Sequence, residues 1–171
     1  MSRLQVCISA LLLLSWSAQA EDFQTIGLIE AEFDGATLSQ TTMSYLDEGK
    51  RLATASLNSR SGITAMTIQG AENNPITIEA MFTTAEPDPQ SNLLNLSIGY
   101  FPAGLRSHWT SEDAPEPARI TFERLDTETD DLHASGTFEA LLCLVPEGAY
   151  EPDTSDCQPI AGRFDTGLVR E

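Results

Sequence analysis

A chain of 171 residues with 26 acidic and nine basic side chains carries a formal charge of −17 at neutral pH. That surplus repels nucleic acid and anionic lipid surfaces, so neither is expected as a partner. The length gives one domain enough chain for a hydrophobic core of its own and leaves no room for two packed domains.

The first twenty residues read as an export signal. Arg3 supplies the positive start, Leu4 to Trp16 the apolar centre, and Ala18-Gln19-Ala20 a small-x-small cleavage pattern. An uncleaved membrane anchor needs about 20 apolar residues and usually lacks that exit. Cleavage after Ala20 leaves residues 21–171 as a single domain, with eight basic against 26 acidic side chains. Cys7 falls early in the apolar stretch, away from where a lipid-modified cysteine would stand. The expectation is a periplasmic or extracellular bacterial protein with no membrane insertion once the signal is removed.

Beyond the signal the dominant pattern is alternation with period two. Ile29-Ala31-Phe33 precedes an Asp34-Gly35 turn, and Leu38 to Tyr45, Arg51 to Asn58 and Gly62 to Gln69 follow as further strand candidates. Ile76, Ile78, Ala80 and Phe82 alternate with polar neighbours, as do Leu94, Leu96, Ile98 and Tyr100. Ala118, Ile120 and Phe122 repeat the pattern. Leu132, Ala134, Gly136, Phe138, Ala140 and Leu142 then share one face, and Asp126 to Asp131 reads as the hairpin connection between these two runs. Ile160 to Leu168 is the last candidate. Connections such as Asp47-Glu48-Gly49, Asn73-Asn74-Pro75 and Pro87-Asp88-Pro89 carry turn chemistry, and no window of helical length shows an apolar stripe with caps. The expected fold is all-β, a single antiparallel β-sandwich or barrel of about eight to ten short strands.

Export sets the cysteine reading. With Cys7 removed, Cys143 and Cys157 remain, an even pair in an oxidising compartment, and a structural disulfide is expected. Strand parity places Cys143 with His133 and Glu139 on the outward face, and Cys157 outward on the strand that leads to Ile160. The two segments should therefore pair, with Leu144 to Asp156 as an excursion between them. A redox-active pair would more typically show a C-x-x-C spacing.

The order of these phrases resembles a group of small bacterial exported proteins and lipoproteins of unknown function. The matching stretches are Phe33-Asp34-Gly35, Ile120-Thr121-Phe122 with Leu125-Asp126-Thr127, Gly136-Thr137-Phe138 and Gly162-Arg163-Phe164-Asp165. The resemblance implies a β-rich fold and no known activity. This chain differs from the lipoprotein members in having no cysteine at the cleavage point.

No stretch carries a catalytic signature. There is no G-x-S-x-G elbow, no phosphate-cradling glycine loop, and the two histidines lie too far apart for a close-spaced zinc site. His133 reads as a surface residue of a strand. Asp126, Glu128, Asp130 and Asp131 supply hard oxygen ligands, but the match to a calcium loop fails at Asp131 and at Thr137, where Gly and Glu are required. Glu147, Glu151, Asp153 and Asp156 form a second acidic loop. The expectation is no cofactor, with weak calcium binding by these loops as the one ionic alternative.

The connection from Phe101 to Pro117 is long for a structureless loop in a compact domain. It holds Arg106, His108 and Trp109, led in by Tyr100 and Phe101. An aromatic, a cation and an imidazole together can grip a sugar, an anion or a peptide. Equally, Trp109 can fold back to plug one end of the domain. The expected role is non-enzymatic, a binding or accessory function toward a protein, a sugar or a small molecule. Two alternatives stand beside it. One is a carrier of an apolar ligand, using space left by Ala134, Gly136, Ala140 and Gly162. The other is a hydrolase with His108 as base, oriented by Glu112 or Asp113.

Overall fold

The computed structural model describes residues 23–83, 91–128 and 131–171; the stretch expected to be an export signal and the expected Pro87-Asp88-Pro89 turn lie outside them. The described residues form thirteen strands and no helix. In chain order these are β1 (Gln24–Phe33), β2 (Ala36–Asp47), β3 (Lys50–Ala53), β4 (Ala55–Arg60), β5 (Ile63–Gln69), β6 (Ile76–Phe82) and β7 (Leu93–Tyr100). There follow β8 (Pro102–Leu105), β9 (His108–Thr110), β10 (Arg119–Asp126), β11 (His133–Val145), β12 (Asp153–Gly167) and β13 (Val169–Arg170).

Twelve strands join one sheet, in the order β13, β4, β5, β6, β7, β9, β11, β12, β1, β2, β3, with β10 beside β11. The alternating runs become β6, β7, β10, β11 and β12, and the Asp34-Gly35 turn joins β1 to β2 with φ of 49° and 72°, the left-handed pair that a tight hairpin requires. Two details depart from the expectation. The sheet is mixed rather than purely antiparallel, because the chain end crosses to the far edge and β13 runs parallel to β4. The strand number exceeds ten because Arg51 to Asn58 divides at Thr54 into β3 and β4, and because β8, β9 and β13 are two to four residues long.

The sheet curls around a single core. Ile29 and Phe33 of β1, Met66 and Ile68 of β5, Ile76 to Phe82 of β6, Ile98 of β7, Phe138 and Leu142 of β11, and Ile160 and Phe164 of β12 all face inward. Burial of this apolar surface is the main driving force for the fold. The sheet is not closed by a continuous ladder. Instead β2 is joined to the β5 side by single links. Thr54 donates its amide to the Met43 carbonyl at 2.8 Å and accepts the Gln69 amide at 2.8 Å.

Side chains complete that seam. The inward face of β2 carries Gln40, Thr42 and Ser44, all buried and all polar. Gln40 stands in for a missing strand: its Oε1 accepts the Ile76 amide at 2.7 Å and its Nε2 donates to the Asn74 carbonyl at 2.7 Å. Glu72 accepts the Thr41 amide through Oε1 at 2.9 Å, and Thr42 shares a 2.6 Å hydrogen bond with Thr166 of β12. Bonding of this kind offsets the cost of burying polar groups, although Glu72 Oε2 is buried without a partner.

Cys143 and Cys157 are bonded as expected, opposite each other in the β11–β12 ladder. Cys143 is not on an outward face, however; it is fully buried. The ladder slips there, since Leu144 pairs with Asp153 rather than with the next residue of β12. The start of β12 therefore folds over the sulfurs, with Cys157 Sγ 3.4 Å from the Thr154 carbonyl oxygen. The excursion is correspondingly shorter than Leu144 to Asp156, because β11 continues to Val145 and β12 begins at Asp153.

Candidate functional site: a break in the sheet between β7 and β10

The long connection from Phe101 to Pro117 is where the sheet changes character. Its first half supplies β8 and β9. Gly104, with φ of 65°, turns the chain back, and Trp109 pairs with Tyr100 on one side and with Leu144 on the other. The aromatic residues of this half are divided between the two faces. Tyr100 and Trp109 both pack edge-on against Phe33, with ring centroids 5.2 and 5.3 Å apart, so the indole covers one end of the core. Phe101 and His108 stack on each other at 5.0 Å with only 11° between their planes. Arg106 is exposed in the turn between β8 and β9. The five residues Tyr100, Phe101, Arg106, His108 and Trp109 thus do not converge on one pocket. Phe101 lines a shallow depression of about 320 Å³ with Gln69, Pro75, Thr77 and Gly104.

Nor does His108 have the neighbours of a general base. Its Nδ1 is buried without a hydrogen-bond partner. Among the described residues no hydrogen bond or ion pair joins it to Glu112 or Asp113. Glu112 instead donates its amide to Thr110 Oγ1 at 3.1 Å.

The second half of the connection does something else. β9 pairs with β7 only at Gly99 and Tyr100, and one further clasp holds the strands together. Ser111 accepts the Ile98 amide on its hydroxyl at 2.8 Å and donates its own amide to the Ile98 carbonyl at 2.9 Å. Below this point the two banks part. The chain turns between Ser111 and Ala114, with Asp113 at a φ of 57°. It then passes through Pro115 and Pro117, neither of which has an amide to offer a neighbouring strand. β10 pairs with β11 alone.

The outer edge of β7 is left open as a result. Ile98 directs its peptide groups toward Ser111, and strand geometry repeats every two residues, so Leu96 directs its own N–H and C=O to the same side. No backbone group of the described residues meets them there. A bulge at Leu94, between the Met81–Asn95 and Phe82–Leu93 pairs, interrupts the regular edge there. The resulting groove encloses about 630 Å³ between Leu93–Leu96 on one bank and Ser111, Glu112, Asp113, Ala114, Pro115, Pro117 and Ala118 on the other. Its rim carries the exposed carboxylates of Glu112 and Asp113 and the exposed side chain of Leu94, 55% accessible.

In the sequence Glu112 and Asp113 stand out as acids near His108, and the rest of the groove shows only as two small irregularities. Leu93-Leu94 breaks the alternation of its strand, which is the mark of a bulge, and Pro115 and Pro117 bar their segment from a central ladder. The aromatic cluster was the louder signal.

At two of the small residues assigned to a carrier cavity the adjoining space is already filled. A side-chain carbon at Gly162 would stand 2.7 Å from Phe138 Cζ and would also overlap the Glu30 carbonyl, and one at Gly136 would overlap the Thr121 carbonyl. Of the acidic loops, Asp130 lies outside the described residues. Asp126 is held by Arg124 at 2.5 Å, and Asp153 accepts two hydrogen bonds from Ser155. Among the described residues no group of three His, Cys, Asp or Glu side chains gathers.

Comparison of the chain with protein-family models finds no match, and searches of curated proteins and of solved structures likewise find none.

Proposed function

We propose that the chain is an exported, non-enzymatic binding domain of a bacterial cell envelope or its surroundings, and that the groove between β7 and β10 is its binding surface. The observation that carries this reading is the open edge at Leu96. Backbone N–H and C=O groups are paired almost everywhere in folded proteins, and a strand edge left bare inside a sheet is an invitation to a partner. The other break in this sheet, beside β2, is sealed by Gln40, Glu72 and Thr54; among the described residues the break beside β7 has no such seal below Ser111. The Cys143–Cys157 disulfide supports an oxidising compartment.

The test is selection of displayed random peptides on the mature protein. Selected peptides should bind wild type and lose affinity for the double variant Glu112→Gln/Asp113→Asn, while Phe101→Ala binds them as wild type does. Asparagine tolerates the left-handed conformation of Asp113, so the double variant keeps the turn. Peptides that bind the groove variant undiminished, or that are lost on Phe101→Ala, would move the binding surface elsewhere.

A further inference from the structure

We infer that the occupant of this groove is an extended, basic segment of a partner protein, which adds to β7 as a strand and takes up the Leu96 peptide groups. The inference rests on the groove being the binding surface and names what fills it. Strand addition needs a bare edge with a pocketed flank, and β7 provides both. From Leu93 to Ser97 the edge away from β6 has no strand beside it among the described residues. Five residues of extended chain span roughly 17 Å, the length of an ordinary strand.

Charge decides between occupants. A second copy of this chain would bring another formal −17 and another Glu112 and Asp113 to the same rim, and like charges set opposite each other destabilise a strand pair. A segment with Lys or Arg at alternate positions meets those carboxylates instead. Its intervening side chains point to the inner face, where Leu93 and Leu96 pack against the core, which favours apolar residues there. The Leu94 bulge and the two prolines on the far bank restrict the open edge to a short stretch, which is how natural sheets admit one strand without growing indefinitely.

The experiment uses three capped synthetic peptides of about eight residues, the length of a typical strand. One alternates Lys and Val, the second is the same peptide N-methylated at every other residue, and the third alternates Glu and Val. Binding is followed by calorimetry and by amide exchange of the mature protein. The Lys-Val peptide should bind and protect the Leu96 amide. N-methylation should weaken binding about tenfold or more, since about 1.4 kcal/mol of lost hydrogen bonding corresponds to that factor. The Glu-Val peptide should not bind, and Glu112→Gln/Asp113→Asn should lower affinity for Lys-Val.

If the double variant weakens binding but N-methylation does not, and Leu96 stays unprotected, strand addition is overturned while the groove remains the binding surface. If binding ignores the double variant, both readings fall. Absence of any binding by Lys-Val, or a self-associated form of the chain that protects Leu96 without peptide, overturns the basic occupant.

Discussion

Ser111 and Ile98 hold the last link between β7 and the segment after β9, a pair of hydrogen bonds of 2.8 and 2.9 Å beyond which the two banks separate. Ile98 is fully buried, so its amide depends on the Ser111 hydroxyl.

Ser111→Ala therefore removes the acceptor of a buried donor. A buried group left unsatisfied costs about 1–3 kcal/mol, and denaturant titration of wild type and variant should show a loss in that range. An unchanged midpoint would mean that the Ile98 amide finds another acceptor.

At the opposite break, Gln40 replaces a strand with one side chain. Gln40→Leu keeps the volume but strips the partners from the Ile76 amide and the Asn74 carbonyl, and a loss of about 2–4 kcal/mol is expected from two such groups. The same titration measures it. Gly70→Ala should also destabilise, because a methyl group there would collide with Gln40 Oε1.

The disulfide closes a short loop, its cysteines 14 positions apart. In the chain-entropy description such a loop stabilises by about 3 kcal/mol. Cys143→Ala/Cys157→Ala should therefore unfold at lower denaturant, and a denatured wild-type fragment of residues 21–171 should show two thiols only after reductant. Two free thiols without reductant would refute the bond.

Asp153 has its carboxyl held below the usual carboxylate range, first by the Ser155 hydroxyl and then by the Ser155 amide. A depressed carboxyl adds stability above its unfolded pKa and loses it as pH falls through the folded value. Ser155→Ala should raise the Asp153 pKa toward its ordinary value in a carboxyl-resolved NMR titration, with the amide bond leaving part of the depression in place. No change would assign the depression to other groups.

Much of the fold was legible because its rule is local. Alternation marked β6, β7, β10, β11 and β12 from inward residues such as Ile78, Ile98 and Phe138, and Asp34-Gly35 announced its hairpin. Parity also paired the segments of Cys143 and Cys157, though it could not foresee the slip that buries Cys143. What alternation cannot carry is closure. The work of Gln40, Thr54 and Ser111 depends on segments distant in sequence arriving at the right place, and nothing about a lone polar residue in a strand announces a partner 36 residues away, as Ile76 is from Gln40. The Phe101 to Pro117 stretch drew attention for its aromatics, yet Tyr100 and Trp109 serve the core beside Phe33. The groove is built from its plainer residues, Glu112, Asp113 and the prolines.

The most direct test is amide hydrogen exchange in the free protein, comparing Leu96 with Ile98 two residues further along the same edge. An open edge at Leu96 predicts exchange there on the order of a hundredfold faster than at Ile98, whose amide is bonded and buried. Equal and slow exchange at both positions would mean that β7 is paired along its whole length, and the binding surface described above would not exist.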